Sequence, residues 1–190
     1  QCDQETLEVC HAQSLRRVMS HADRISGEFD YIEWIRRLVA ADPRVPVGIG
    51  DDTAVVHFTP GRDVLVTTDM LLEGVHFDLS QSSAHQVGRK ALGVNLSDIA
   101  AMAGKPVAAV VALGLPDRLG RTDAEELVRG IHNLAREFEV AIVGGDTNRS
   151  RDSLIIAITL VGEADARGPV RRSGARPGDW VMVTGSLGGS

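Results

Sequence analysis

The sequence predicts an α/β (α+β) fold, because helical and strand-like patterns alternate along most of its 190 residues. Apolar side chains recur at helical spacing in three segments, and short apolar runs bounded by Gly, Pro and Asp lie between them. A hydrophobic content of 43% and a charged content of 24% are typical of a globular chain.

The first predicted elements follow a polar extension of mixed charge over residues 1–26. Residues 28–41 carry apolar side chains at helical spacing, and Asp42-Pro43 ends this predicted helix. Residues 54–58 and 63–68 are predicted strands, which the turn at residues 59–62 joins in a hairpin-like arrangement.

The central predicted elements are a buried helix, a strand and an amphipathic helix. Residues 84–103 are apolar or small on most sides, which indicates a mostly buried helix. Residues 107–115 form a β-branched and Ala-rich run of strand length. Residues 122–139 have the clearest amphipathic pattern, in which Thr122 can cap the helix and Glu125 occupies the capping-box position.

Three further strands are predicted at residues 140–143, 154–161 and 180–184. The last of these leads into a Gly/Ser-rich segment, and such a turn normally precedes a helix. We therefore expect the chain to be the N-terminal part of a larger protein.

Charge and cysteine content exclude several classes of protein. The formal net charge of −6 argues against general affinity for nucleic acid, which depends on clustered Lys and Arg. The two cysteines, Cys2 and Cys10, have no metal-binding spacing and do not predict a structural disulfide. No apolar stretch approaches the ~18 residues of a membrane span. Charged residues near the start of the chain interrupt the apolar segment that a signal peptide requires. We expect a cytoplasmic protein.

Four short acidic segments are the candidate functional features. Each follows or interrupts an apolar run: residues 50–52 (GDD), 67–69 (TTD), 96–98 (LSD) and 144–146 (GGD). Carboxylates beside small or hydroxylated residues supply the oxygen ligands that hard divalent cations require, and Mg²⁺ carrying phosphates is the first expectation. Asp98 is expected on the buried side of its apolar helix, where a carboxylate needs a partner.

Each segment also has a purely structural interpretation. Gly-Asp and Ser-Asp sequences form ordinary turns and helix caps, and a single histidine such as His76 is more often structural than functional. Arg171-Arg172 alone is only a basic turn. The sequence contains no GxxxxGK[ST] or GxGxxG motif, so any phosphoryl transfer would depend on metal and carboxylate groups.

Taken in order, six segments closely resemble thiamine-monophosphate kinase, from about residue 27 to residue 190. They are GEF (27–29), GIGDDTAVV (48–56), TTDMLLEGVHF (67–77), KALGVNLSDIAAM (90–102), GGDT (144–147) and RSGARPGDWVMVTG (172–185). This family belongs to the superfamily of aminoimidazole ribonucleotide synthetase, whose members use ATP without a P-loop.

The resemblance implies a fold and a domain division. It implies a mixed or antiparallel sheet with helices on one face, which forms a barrel when two copies dimerise. Residues 27–163 would form the N-terminal domain, and residues 164–190 would begin a second domain that supplies further ATP, metal and thiamine contacts. Ala103-Gly104 stands where the family commonly has Gly-Ala, which is expected to shift the helix end slightly.

The resemblance also implies an activity and its residues. The expected reaction is transfer of the ATP γ-phosphate to thiamine monophosphate with Mg²⁺, in a homodimer, without a general base or other catalytic side chain. Its implied metal ligands are Asp52, Thr67, Thr68, Asp69, Asp98 and Asp146. Its implied ATP contacts are Gly145, Asp146 and Arg172, and its implied substrate contact is His76. Two alternatives stay open: an inactive dimerisation or Mg-nucleotide-binding module, and another ATP-dependent member of the superfamily.

Overall fold

The structure, a computed structural model, describes residues 28–182 as three helices and a four-stranded sheet. The helices are α1 (Glu28–Leu38), α2 (Ala84–Ala101) and α3 (Arg121–Glu137), and the strands are β1 (Val64–Leu72), β2 (Gly104–Pro116), β3 (Ala141–Ser150) and β4 (Ile155–Ala164). The strand order is β1-β4-β2-β3. Strand β4 is antiparallel to both β1 and β2, while β2 and β3 are parallel. The predicted fold class is confirmed: the fold is α+β with a mixed sheet.

Helices α2 and α3 pack together and cover one face of the sheet, here called the inner face. Strand β4 alternates between buried and half-buried residues along its whole length, as expected for a strand with one face in the core. The two helices approach closely at Gly88 and Gly130. A Cβ on Gly88 would lie 2.1 Å from the Leu127 carbonyl oxygen, so this helix crossing tolerates no side chain.

Helix α1 is attached to α3 by its aromatic residues. Tyr31 is completely buried, and its hydroxyl donates a 2.8 Å hydrogen bond to the Ala124 carbonyl oxygen. Trp34 stacks on Tyr31 with ring centroids 5.9 Å apart, and the Arg129 guanidinium lies 5.0 Å from the Trp34 ring centroid. These contacts place α1 over the edge of the sheet beside β3.

The opposite face of the sheet, here called the outer face, is only partly covered. At one end, a small apolar cluster of Val107, Ala108, Ala141 and Val143 packs under the segment of residues 45–58. Elsewhere the outer face presents large exposed apolar side chains: Val64, Val66, Met70 and Val110. No helix of the described residues is long and apolar enough to cross a membrane.

The predicted hairpin of residues 54–58 and 63–68 is wrong. Val55 forms only an isolated bridge with Val47, and β1 pairs with β4 instead. Leu65 and Leu71 of β1 lie on the inner face, so pairing with β4 joins them to the main core beneath α2. Local sequence pattern could not reveal a pairing such as that of Thr68 with Thr159, which are 91 residues apart.

The predicted ends of several elements also differ from the structure. Helix α3 begins at Arg121 with Gly120 as the N-cap, and Glu125 accepts a 2.9 Å hydrogen bond from Arg121 rather than forming a capping box with Thr122. Helix α2 has the capping box, between Ser83 and Gln86. Strands β1 and β3 continue through the acidic segments that were expected at strand ends.

Two other predictions concern the start and the end of the chain. The predicted strand from residue 180 is not formed over residues 180–182, and residues 183–184 lie outside the described part of the chain, as does the predicted extension over 1–26. The division into an extension, a domain over residues 27–163 and the start of a second domain stays a prediction. After β4 the described residues form no further α-helix or strand, and the 3-10 turn Arg172–Gly174 lies in this segment.

Candidate active site

A contact between β1 and α2 joins two of the predicted metal ligands. Thr67 Oγ1 donates a 2.7 Å hydrogen bond to Asp98 Oδ2. Asp69 lies two residues after Thr67 in the same strand, so both residues belong to the inner face of β1. Asp98 is exposed, which corrects the expectation that it lies on the buried side of its helix. The buried polar residue of this motif is Asn95, one helical turn earlier.

These oxygens fit the requirements of Mg²⁺. The cation is usually held by one or two carboxylates together with phosphate oxygens and water, rather than by a complete protein cage. Asp69, Asp98 and the Thr67 hydroxyl supply this kind of donor set at the edge of the sheet. Within residues 28–182, no three His, Cys, Asp or Glu side chains are grouped so that they could hold a metal ion.

Thr68 lies on the other face of the same strand. It pairs with Thr159 of β4, and the Thr159 hydroxyl donates a 3.2 Å hydrogen bond to Thr68 Oγ1. Because neighbouring residues of a strand point to opposite faces, the Thr68 side chain does not share a locus with Thr67 and Asp69. This argument applies to the Thr68 side chain and not to its backbone carbonyl oxygen.

Asp146 lies on β3, at the opposite edge of the sheet from β1. Its Oδ2 accepts a 2.6 Å hydrogen bond from Asn148 Nδ2, so these two residues share a face. Strand β3 lies three strand positions from β1, roughly 14 Å at the usual strand spacing. One ion cannot contact Asp146 together with Asp69 or Asp98 at this separation.

Asp52 and Arg172 occupy exposed segments outside the sheet. The Asp52 backbone N–H donates a 2.8 Å hydrogen bond to Asp51 Oδ1 in the turn that follows Gly50. Gly50 has a φ of +121°, a conformation that an L side chain rarely adopts. Arg172 lies in the 3-10 turn, and the nearby Val170 N–H donates to the Met102 carbonyl oxygen at 3.1 Å.

His76 lies in a tight loop after β1, and its ring is oriented by the backbone. The Leu72 N–H donates a 3.0 Å hydrogen bond to His76 Nδ1, so Nδ1 is the unprotonated nitrogen of the ring. The proton of the neutral imidazole is therefore on Nε2, from which it can be donated to an acceptor. Lys90 Nζ of α2 also donates a 2.8 Å hydrogen bond to the His76 carbonyl oxygen.

A cavity of about 110 Å³ opens beside Gly145 and Asp146. Its walls are mostly apolar, and its polar side is the β3 segment of residues 144–147. The apolar walls come from Ile32, Ile35, Ile49, Val111, Leu113, Val128, Ile131 and Ile142. The apolar faces of the two helices that line this cavity are predictable from the sequence, but the cavity between them is not.

Gly145 allows β3 to approach β2 closely at this cavity. A Cβ at residue 145 would lie 2.0 Å from the Val111 carbonyl oxygen, so any side chain would displace the strand. The glycine therefore keeps backbone, rather than a side chain, at the polar side of the cavity. This is the kind of surface that phosphate or another anion can approach.

An ion pair that the sequence does not predict lies at the start of the His76 loop. Glu73 forms an ion pair with Arg118, and Glu73 Oε2 also accepts a 2.9 Å hydrogen bond from the Leu154 N–H. Burial raises the pKa of the Glu73 carboxyl, but the hydrogen bonds from Arg118 and Leu154 outweigh it, and the pKa lies below its usual value. Only folding brings these residues together, because they come from three separate segments.

Residues 50–164 match the family of AIR synthase related proteins, N-terminal domain. Among curated proteins, the chain is 39% identical over 163 residues to a thiamine-monophosphate kinase of Bacillus subtilis, covering 86% of this chain and 50% of that protein. It is 40% identical over 164 residues to a thiamine-monophosphate kinase of Mycobacterium tuberculosis, covering 86% of this chain and 49% of that protein. The chain spans about half the length of the curated relatives it matches.

Solved structures show the same relationship. The thiamine-monophosphate kinase of Stenotrophomonas maltophilia K279a matches with a TM-score of 0.66 and 35% identity, over 77% of this chain and 45% of that one. The structure of AaThiL complexed with AMPPCP and TMP matches with a TM-score of 0.58 and 36% identity, over 83% of this chain and 48% of that one. A hydrogenase maturation protein HypE in complex with ATP, at 22% identity and a TM-score of 0.60, shares the fold.

The family match covers all four strands of the sheet and both helices on its inner face, and the resemblance read from the six sequence segments is confirmed. The chain belongs to the family of AIR synthase related proteins, and within it matches the N-terminal half of thiamine-monophosphate kinases.

Proposed function

We propose that the protein containing this chain phosphorylates thiamine monophosphate to thiamine diphosphate, with ATP as phosphoryl donor and Mg²⁺ as the metal. The observation that carries the proposal is the Thr67 to Asp98 contact, which gathers hard oxygen donors at a sheet edge. Similarity to a protein solved with AMPPCP and TMP supports this choice of substrates. Because the chain spans half of its relatives, the complete activity needs the remaining half, and residues 164–190 would begin that second domain.

ATP would place its base in the apolar cavity and its phosphates along β3. A planar, mostly apolar ring suits a cavity lined by Ile, Leu and Val side chains. Gly145 leaves the backbone of β3 accessible to phosphate oxygens, and Asp146 would hold a cation bound to them. The Arg172 guanidinium, which is planar and permanently charged, would bind a phosphate group from the segment that follows β4.

Mg²⁺ ions would neutralise charge between the two phosphate groups that must meet. Thr67 contacts Asp98, and Asp69 lies on the same face of β1 as Thr67. Thr68 faces the other side of β1, and Asp146 lies at the opposite edge of the sheet. More than one ion would therefore be needed for all six residues to act as ligands. Bound Mg²⁺ supplies electrostatic stabilisation of the charge that develops on the transferred group.

The transfer itself would need no general base. A phosphate oxygen of thiamine monophosphate attacks the γ-phosphorus of ATP. The bond from that phosphorus to the β,γ-bridging oxygen breaks, and ADP leaves. The attacking oxygen is already anionic, so positioning and charge neutralisation are what the protein must supply. His76, with its proton on Nε2, would donate a hydrogen bond to the acceptor substrate.

The proposed assembly is a homodimer in the cytoplasm. The outer face presents Val64, Val66, Met70 and Val110, which are 41–67% exposed in the single chain. A row of large apolar side chains on one face of a sheet favours burial against another protein surface. A second copy of the sheet, joined through this face into a barrel as the resemblance implies, would bury that row.

The experiment offers the purified complete protein ATP, Mg²⁺ and one acceptor at a time. Thiamine monophosphate should be converted to thiamine diphosphate, and omission of Mg²⁺ should remove the activity. Turnover only with a ribonucleotide or with selenide would favour another member of the superfamily. Nucleotide binding without turnover of any acceptor would favour a dimerisation or binding module.

A further inference from the structure

We propose that the ion pair between Glu73 and Arg118 is a positioning device, which holds the loop of residues 72–77 so that His76 can contact the acceptor substrate. The proposal rests on the function proposed above. Glu73 and Arg118 do not themselves touch the reacting groups; they would act through His76.

The loop is closed by its own hydrogen bonds. The His76 N–H donates to the Leu72 carbonyl oxygen at 2.9 Å, and the Gly74 N–H donates to the Phe77 carbonyl oxygen at 2.8 Å. The ring bond from the Leu72 N–H to His76 Nδ1 completes the turn. These bonds tie the His76 ring to the backbone of the loop, so the orientation of the ring depends on how the loop is joined to the rest of the sheet.

Glu73 makes that junction. Its N–H donates to the Leu154 carbonyl oxygen at 3.1 Å, and its Oε2 accepts from the Leu154 N–H at 2.9 Å. The same oxygen accepts from Arg118 Nη2, and Arg118 Nε reaches the Asp152 carbonyl oxygen at 3.3 Å. One carboxylate thus connects the end of β1 to the start of β4 and to the segment between β2 and α3.

The burial of the two partners differs in an informative way. The Glu73 side chain is 14% exposed, whereas the Arg118 side chain is 54% exposed. Loss of Arg118 would leave a largely buried carboxylate with one backbone donor, and the loop would relax to rehydrate it. If the ion pair only stabilised the fold, its loss would affect the KM values of both substrates alike.

The test uses the complete protein with Arg118→Met, the conservative variant Arg118→Lys, and Arg89→Met as a matched control. Arg89 forms an ion pair with Glu137 between α2 and α3, at 2.7 Å, and this pair shares no residue with the hydrogen bonds that join the His76 loop to the sheet. Arg118→Met should raise the KM for thiamine monophosphate roughly tenfold and leave the KM for ATP unchanged. Arg118→Lys should restore most of the loss, and Arg89→Met should change neither KM. Equal changes in both KM values, or none, would overturn the positioning role.

A spectroscopic measurement separates this proposal from the proposed function. The ¹⁵N chemical shifts of the His76 ring distinguish protonation at Nε2 alone from a mixture of tautomers. The wild-type protein should show the single tautomer, and Arg118→Met should show the mixture. If the wild-type protein fails to phosphorylate thiamine monophosphate, the proposed function is wrong, and these shifts still decide the positioning role. Unaltered His76 shifts in Arg118→Met would refute it.

Discussion

Thr67 Oγ1 donates a 2.7 Å hydrogen bond to Asp98 Oδ2, joining the middle of β1 to the exposed side of α2. The bond brings together two sequence segments 31 residues apart and leaves the other Asp98 oxygen available to a cation. A structural bond alone would need no carboxylate here, because an amide oxygen could accept equally well. This difference allows the metal role of Asp98 to be tested separately from its packing.

Asp98→Asn in the complete protein should lower kcat/KM for thiamine diphosphate formation by at least about 100-fold. The Asn oxygen can still accept from Thr67, so the free energy of unfolding should change by less than about 0.5 kcal/mol. Steady-state kinetics and urea denaturation measure the two effects. Asp123→Asn, an exposed carboxylate on α3, is the control for charge removal. Full activity in Asp98→Asn would contradict the metal role.

Ile131→Phe should reduce ATP binding by filling the cavity beside β3. Ile131 is buried and lines that cavity of about 110 Å³, so the larger ring would occupy the space proposed for the nucleotide base. We expect a KM for ATP raised roughly tenfold with an unchanged KM for thiamine monophosphate. Ile131→Leu conserves the volume and should cost less than about 1.5 kcal/mol without affecting ATP. An unchanged ATP affinity in Ile131→Phe would place the base elsewhere.

Val66→Glu should separate the proposed dimer into monomers. Val66 is 67% exposed on the outer face, where a charge would have to be buried between two copies of the sheet. Sedimentation velocity of the complete protein measures the change. Val170→Glu, at a residue 55% exposed beyond β4, introduces the same charge outside that face and should leave the assembly intact. A wild-type monomer, or a dimer that tolerates Val66→Glu, would exclude this interface.

The sequence predicted the helices and the inner strands well, because their apolar periodicity reflects burial on one face. It failed where the outcome depends on distant partners. Residues 54–58 have strand composition, yet β1 pairs with β4 instead of with them. This pairing places Leu65 and Leu71 of β1 in the main core. The expectation of a buried Asp98 failed for a related reason: Asn95 and Asp98 are one turn apart, and only packing decides which of them faces the sheet. The Glu73 and Arg118 pair had no local signal at all.

Ala103→Gly should stabilise the protein by about 1 kcal/mol. Ala103 has a φ of +54° just after α2, a conformation that glycine adopts without the steric cost paid by a Cβ. This is the position where the resemblance implies Gly-Ala and this chain has Ala103-Gly104. Ala100→Gly, within the helix, should instead destabilise by roughly 0.5–1 kcal/mol. Urea denaturation measures both, and a destabilised Ala103→Gly would show that the left-handed conformation is not strained.

Glu73 should also make stability depend on acid pH. Burial raises the pKa of the Glu73 carboxyl, but the hydrogen bonds from Arg118 and the Leu154 N–H outweigh burial, so the pKa in the folded protein lies below the ordinary value of 4.5. The carboxylate therefore stabilises the fold above pH 4.5, and this contribution is lost as the pH falls through the lowered pKa. Glu73→Gln should be less stable than wild type at pH 7, and the difference should shrink at acid pH. Urea midpoints from pH 7 to pH 3 measure it, with Glu126→Gln, from an exposed ion pair on α3, as the control for charge. A difference that stays constant over this range would mean that the charge on Glu73 does not hold the loop.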